Sequence, residues 1–194
     1  MAHIIGNISA EDDYTHTLGP EPNFNESVYF NFFDREHRRG GFIRIGNRAN
    51  EGYAEMTVVI FNPDGSALFN YKKPKISSND GWDAGGAKVD VVTAGELLRT
   101  CYEGSAVALE DPRTMADPRT AFTENPFKKV RLDLEHRGVG PLYGHVGDPD
   151  DGNDFARAHT EQHMKVTGTL QIEGEPEHTI EGHGLRDHSW GPRY

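Results

Sequence analysis

Glycine and proline are distributed along the whole chain, and this spacing constrains the fold more than any other feature of the sequence. The 194 residues include 22 glycines and 11 prolines, which leave little room for long helices between them. Such a distribution is typical of short strands joined by turns. The chain is therefore expected to be all-β, with few short helices and with antiparallel pairing between neighbouring strands.

The strand patterns agree with this expectation. In the segment 27–33, Val28, Phe30 and Phe32 lie on one face of a strand, while Tyr29 lies on the other. Residues 129–136 alternate between apolar and charged side chains, as a half-buried strand does. Roughly nine to eleven strands are predicted, and a sheet of that size must curl, split or close. We expect a β-barrel or a strongly curved sheet around an apolar cavity.

Length and charge exclude several functional classes. A chain of 194 residues fits one large domain, and Cys101, its only cysteine, excludes an internal disulfide. The net charge of −11 argues against binding to nucleic acid. No segment approaches the ~18 apolar residues of a spanning helix, and no secretory signal is visible. The sequence therefore predicts a cytoplasmic location and no membrane insertion.

The histidines raise the question of a metal site. Six of the ten histidines lie between positions 145 and 188. His159 and His163 would stand ~13 Å apart on a strand, too far to share one ion. The acidic loop 147–154 has a glycine where a calcium-binding loop needs its third ligand, and it lacks the final glutamate. We therefore predict no metal and no other cofactor.

The segment 185–193 contains the densest group of chemically active side chains. On a strand, Arg186, His188 and Trp190 share one face, and Asp187 shares the other face with Ser189. Under a structural interpretation, an Arg–Asp bridge closes the fold and the indole plugs its end. Under a catalytic interpretation, the same side chains handle protons and positive charge. Spacing alone does not choose between them.

A resemblance bears on this choice. The sequence Asp187-His188-Ser189-Trp190-Gly191 resembles the Asp-His-x-Trp-Gly motif of the carotenoid hydratase (hydroxyneurosporene synthase) superfamily. Residues 161–193 and 25–30 are similar to a largely uncharacterised bacterial branch of that superfamily. The resemblance implies that residues 1–194 form one lipocalin-like β-domain, the first of two in a longer chain. The partners it implies are a hydrophobic small molecule and a second lipocalin-like domain or a homodimer mate.

The resemblance also implies a chemistry: hydration, dehydration or isomerisation of an isoprenoid-like or phenolic molecule by acid–base catalysis without a cofactor. Hydration of an alkene needs a proton donor and a surface that stabilises the developing cation. His188 fits the first role and Trp190 the second, whereas strand alternation points Asp187 away from both. The candidate catalytic residues are His188, Trp190 and Asp187, and the candidate substrate-binding residues are Tyr29, Phe30, Phe32 and Arg186.

Two alternatives stay open. The chain is a non-catalytic, lipocalin-like binding module for a hydrophobic ligand, or it is a structural half that packs on a partner domain. Ligand binding without turnover is the signature of the first alternative. An unstable chain with exposed apolar surface is the signature of the second.

Overall fold

The fold was obtained as a computed structural model, which describes residues 3–147 and 157–193. One large sheet dominates it and curves into a ring without forming a true barrel. Within these ranges, all but one of the strand pairings are antiparallel. The all-β prediction with a strongly curved sheet and few short helices is therefore confirmed.

The described ranges contain twelve strands, one α-helix and three short 3-10 turns. The strands are β1 (Ile4–Gly6), β2 (Phe24–Asp34), β3 (Arg39–Arg48), β4 (Tyr53–Phe61), β5 (Ala67–Lys72), β6 (Trp82–Ala84), β7 (Ala87–Thr93), β8 (Leu97–Leu109), β9 (Phe127–Gly138), β10 (Leu142–Val146), β11 (Ala158–Ile172) and β12 (His178–Pro192). The helix is α1 (Pro118–Glu124), and the 3-10 turns are Ala10–Asp13, Ala49–Glu51 and Pro112–Ala116.

Strand order explains how the sheet curves on itself. The strands follow the order β1-β10-β11-β12-β2-β3-β4-β5-β8-β7-β6, and β9 pairs with both β11 and β8. Strand β9 therefore joins the two arms of the sheet. Strand β12 lies between β11 and β2, so it connects the late and early parts of the chain.

Alternation along the strands builds the core on the inner face. Val28, Phe30 and Phe32 of β2 are buried there, as are Val130, Leu132 and Leu134 of β9. Each fully buried side chain of this kind stabilises the fold by about 1.5–3 kcal/mol relative to an exposed position. The alternation predicted for both segments therefore places their apolar side chains in one core.

Gly168 permits a close approach of two strands. A glycine inside a strand marks either a bulge or a close approach of two backbones. Pairing with β9 and β12 continues through it without a register shift, so it is not a bulge. A Cβ atom at this position would lie 2.0 Å from the backbone oxygen of Asp133. Glycine is therefore required because β9 passes directly over it.

The repeated Asp-Pro-Arg-Thr segments, residues 111–114 and 117–120, each begin a short helical element. Asp111 accepts a hydrogen bond from the Arg113 amide at 3.0 Å and caps a 3-10 turn. Asp117 accepts one from the Thr120 amide at 3.3 Å and caps α1. An acidic cap followed by proline favours the start of a helical turn, which explains why both segments are helical. No helix in the described residues is long and apolar enough to cross a membrane.

Residues 9–23, here called the strap, run across the end of the ring where β2 begins and β12 ends. The side-chain amide of Asn50 donates to the carbonyl oxygens of Gly19 and Glu21, each at 2.9 Å. Arg157 forms an ion pair with Glu21 at 2.7 Å. These contacts hold a segment with little regular structure against the sheet. Two polar side chains of the strap, Asp13 and His16, then reach the inner face.

Candidate functional site

Strand β12 places alternate side chains of the terminal motif, residues 185–193, on the inner and outer faces of the sheet. Arg186, His188 and Trp190 are buried on the inner face. Asp187 lies on the outer face, where its carboxylate is 3.0 Å from the imidazole of His159. The motif therefore contributes to two separate environments.

Glu26 is the centre of the inner site. This fully buried residue of β2 accepts a hydrogen bond from Nε2 of His188 at 2.9 Å and one from Nδ1 of His16 at 2.6 Å. The backbone amide of His16 and the side-chain amide of Asn79 donate to the same carboxylate. Burial raises the pKa of Glu26, but the hydrogen bonds from the two imidazoles outweigh it and lower the pKa to about 2. Glu26 is therefore a carboxylate near neutral pH.

The protonation of His188 follows from this carboxylate. An ionised carboxylate only accepts hydrogen bonds, so Nε2 of His188 must carry the proton that it donates to Glu26. In the neutral imidazole this leaves a lone pair on Nδ1. Nδ1 of His188 is buried and has no hydrogen-bond partner among the residues that the structure describes. The arrangement is a carboxylate–imidazole pair with its basic nitrogen unused.

His16 of the strap has a different role. Its Nε2 atom lies 3.2 Å from Asp12, so the ring is held between two carboxylates. Burial lowers the pKa of His16, but the hydrogen bonds to Glu26 and Asp12 outweigh it and raise the pKa above its usual value. Trp190 stacks on this ring at 3.9 Å between centroids and 12° between planes. The indole thus packs against an imidazole that favours positive charge.

Trp82 and two asparagines complete the surroundings of the His188–Glu26 pair. Trp82 meets the His188 ring edge-on, with centroids 5.0 Å apart and planes at 89°. Asn47 donates to Asn79 at 3.1 Å, which extends the network outward from Glu26. Asn47 also lines a cleft of about 370 Å³ together with Ile76, Ser77, Ser78, Asp80, Gly81 and Asp83. The polar network therefore borders an opening to the surface.

Arg186, a candidate substrate-binding residue, directs its guanidinium to protein groups. It forms a buried ion pair with Asp13 of the strap and donates to the Gln162 side chain at 3.0 Å. Asp13 also accepts the backbone amide of Gly95 at 2.5 Å. Arg186 therefore anchors the strap over the ring. The structural interpretation placed an Arg–Asp bridge within residues 185–193, but Arg186 pairs instead with Asp13, from the far end of the sequence.

The other candidate substrate-binding residues are divided between the inner and outer faces of the sheet. Phe30 and Phe32 are in the core, and Phe30 packs 4.9 Å from the ring of His136. Tyr29 lies on the outer face against Phe42, with ring centroids 5.2 Å apart. Tyr29 is therefore not brought together with the inner aromatic residues.

Two groups of side chains have the composition of a cation site. The ligand atoms within each group lie within 4.8 Å of one another. The inner group is His16, Glu26 and His188, and the outer group is His159, Glu161 and Asp187. In the outer group, burial raises the pKa of Asp187, the His159 imidazole opposes this effect, and the Glu161 carboxylate adds to it. The acidic residues 148–154 lie outside the described residues.

His136, which the sequence interpretation did not select, is a second buried imidazole on the inner face. Its Nε2 atom lies 3.0 Å from the hydroxyl of Thr100, and its Nδ1 atom has no partner in the described part of the chain. Burial, with a smaller contribution from Arg186, lowers the pKa of His136 to about 3. Folded His136 is therefore neutral above about pH 3.

We expect His136 to make the fold less stable in acid. An unfolded histidine binds a proton below pH ~6.5, whereas folded His136 does not until about pH 3. Stability should fall with decreasing pH across this window, by up to about 1.4 kcal/mol per pH unit. Urea unfolding at pH 4.5, 5.5 and 6.5 should give a shallower slope for His136→Gln. The control variant His183→Gln, at an exposed position, should keep the slope of the parent protein, and equal slopes for all three would contradict the expectation.

Comparisons with known proteins give the family of the chain. No curated protein matches it. A solved structure of a protein from Nitrosomonas europaea, provisionally assigned as AttH, is similar to 100% of this chain with a TM-score of 0.54 and 14% sequence identity. This chain spans 59% of the length of that protein, and at such an identity the likeness shows the fold alone. The model of the family described as a domain of unknown function, DUF7064, matches residues 9–194, and the chain therefore belongs to the DUF7064 family.

Proposed function

We propose that the ring binds an apolar small molecule and that His188 transfers protons on it, as a hydratase, dehydratase or isomerase does. The observation that carries the proposal is the buried His188–Glu26 pair, whose Nδ1 atom has no partner among the described residues. A base of this kind is costly to bury unless it is used. The Asp-His-x-Trp-Gly resemblance supports the same chemistry and suggests an isoprenoid-like or phenolic substrate.

Each group in the site has a task in this mechanism. Nδ1 of His188 accepts a proton from a carbon atom of the substrate, and Glu26 stabilises the imidazolium that results. Returning the proton to another carbon gives isomerisation. Returning it to a departing hydroxyl group gives water and a double bond, and the reverse sequence is hydration. Trp190 packs on His16 and limits access of solvent to the pair. All steps balance without a cofactor.

We further propose that the chain acts as the first of two lipocalin-like domains, or together with a second copy of itself. The likeness to a solved chain of which it spans 59% supports this arrangement. A partner domain would complete the cover of a substrate that enters beside Asn47.

Proton exchange tests the function with surrogate substrates, so the natural substrate need not be identified first. The full chain is incubated in D2O with geraniol, linalool or 4-vinylphenol, and deuterium in the recovered compound is measured by mass spectrometry. We expect incorporation with the parent protein and a rate about 100-fold lower with His188→Gln, since positioned acid–base groups contribute at least this factor.

The matched control is His183→Gln, which changes an exposed histidine of the same strand and should leave the exchange rate unaltered. Equal rates in the parent protein and His188→Gln would contradict the proposal. Binding of these compounds without any exchange would favour the non-catalytic binding module instead.

A further inference from the structure

Three buried polar atoms near His188 have no hydrogen-bond partner among the described residues. They are Nδ1 of His188, Nε1 of Trp82 and Oγ1 of Thr160. The three residues are only 2%, 4% and 1% exposed. Buried polar groups are nearly always paired, so three unpaired groups in one region indicate that something else completes them.

The fold brings these three residues together. Thr160 of β11 is the direct register partner of His188 of β12, so the two side chains are neighbours on the inner face. The Trp82 ring stands edge-on to the His188 ring, with centroids 5.0 Å apart. Thr160 of β11 and Trp82 of β6 therefore both border the His188 ring of β12.

The hydrogen-bonding capacity of the three atoms favours a small group that both accepts and donates a hydrogen bond. The indole of Trp82 only donates. In the neutral imidazole, Nδ1 of His188 accepts, because the ring proton is on the nitrogen that faces Glu26. The hydroxyl of Thr160 does either. A carbonyl or carboxylate has no proton for His188, and an ammonium has no lone pair for Trp82. A hydroxyl group satisfies both.

We propose that Trp82, Thr160 and His188 form a subsite for the hydroxyl group of an organic ligand, an alcohol or a phenol. This deepens the proposed function, on which it rests, because the hydroxyl is the group that dehydration removes and hydration adds. We place the route to the subsite at the cleft beside Asn47, because its lining residue Gly81 immediately precedes Trp82.

Paired ligands test the subsite without turnover. p-Cresol and p-xylene have the same shape, but a methyl group replaces the hydroxyl in the second. Calorimetric titration of the full chain should show at least tenfold tighter binding of p-cresol. Thr160→Val and Trp82→Phe each remove one polar atom and retain the apolar bulk. Each should reduce the preference by about five- to tenfold, the value of one hydrogen bond.

The matched control is Thr169→Val, which makes the same change on the outer face of β11 and should keep the preference. A direct readout is the ¹⁵N resonance of His188 Nδ1, which should move on addition of p-cresol and stay in place with p-xylene. If Trp82→Phe does not fold, Thr160→Val decides alone.

Equal affinity for the two compounds, binding of neither, or variants with an unchanged preference would overturn the subsite. Equal affinity would mean that only water occupies these atoms. The outcome is separable from that of the proposed function. If the parent protein catalysed no deuterium exchange but still preferred p-cresol, proton transfer by His188 would be contradicted. The subsite would not be affected by that result.

Discussion

Asp13→Asn is expected to lower the free energy of unfolding by about 3–5 kcal/mol, the usual cost of breaking a buried ion pair from one side. Asp13 is 1% exposed and Arg186 is 2% exposed, so the guanidinium would stay buried beside a neutral amide. The backbone amide of Gly95 would also lose its carboxylate acceptor. Urea unfolding at pH 7, followed by circular dichroism, measures the change.

A surface ion pair provides the control for this effect. Arg99 and Asp133 pair on the outer face, where solvent reaches both side chains. Asp133→Asn should therefore cost at most about 1 kcal/mol. The double variant Asp13→Leu with Arg186→Met should recover much of the loss, because no charge is left buried. A cost for Asp13→Asn as small as that for Asp133→Asn would show that the strap is not held by this ion pair.

Glu26→Gln should lower the free energy of unfolding by about 3 kcal/mol near pH 7. Folding lowers the pKa of Glu26 from 4.5 to about 2, and each pKa unit corresponds to about 1.4 kcal/mol. Because the folded pKa is the lower one, this stability is present above pH 4.5 and is lost as the pH falls towards 2. The difference between parent and variant should therefore be largest near neutral pH and should shrink in acid.

Denaturant unfolding at pH 3, 5 and 7 measures this pH dependence. Glu181→Gln makes the same chemical change at an exposed carboxylate and should differ little from the parent protein. Deuterium exchange should also fall with Glu26→Gln, because the amide no longer favours a proton on Nε2 of His188. A difference in stability that does not depend on pH would mean that Glu26 contributes by packing rather than by its charge.

Much of the fold followed from local patterns in the sequence. Alternation placed Val28, Phe30 and Phe32 on one face of β2, and the glycine and proline spacing excluded long helices. Both patterns reflect short-range geometry, which a single sequence contains. The terminal motif was assigned to its two faces for the same reason.

The partners of that motif could not be predicted in the same way. Extending the β2 alternation back from Val28 places Glu26 on the inner face, and a glutamate at a core position is a signal that could have been used. His16 and Asp13 come from a strap with little regular structure, and Trp82 comes from a three-residue strand between turns. Their contacts with β12 depend on how the whole sheet curves, and no local pattern reports that.

The position of β12 between β2 and β11 also affects how the protein folds. During synthesis, β2 emerges early and pairs with β3, but its other edge has no partner until β12 has been made. Until then, β2 presents unpaired backbone groups that other chains could pair with. Contacts of such long sequence separation slow folding. We therefore expect slow refolding, a tendency to aggregate during it, and recovery of native protein that improves at low protein concentration.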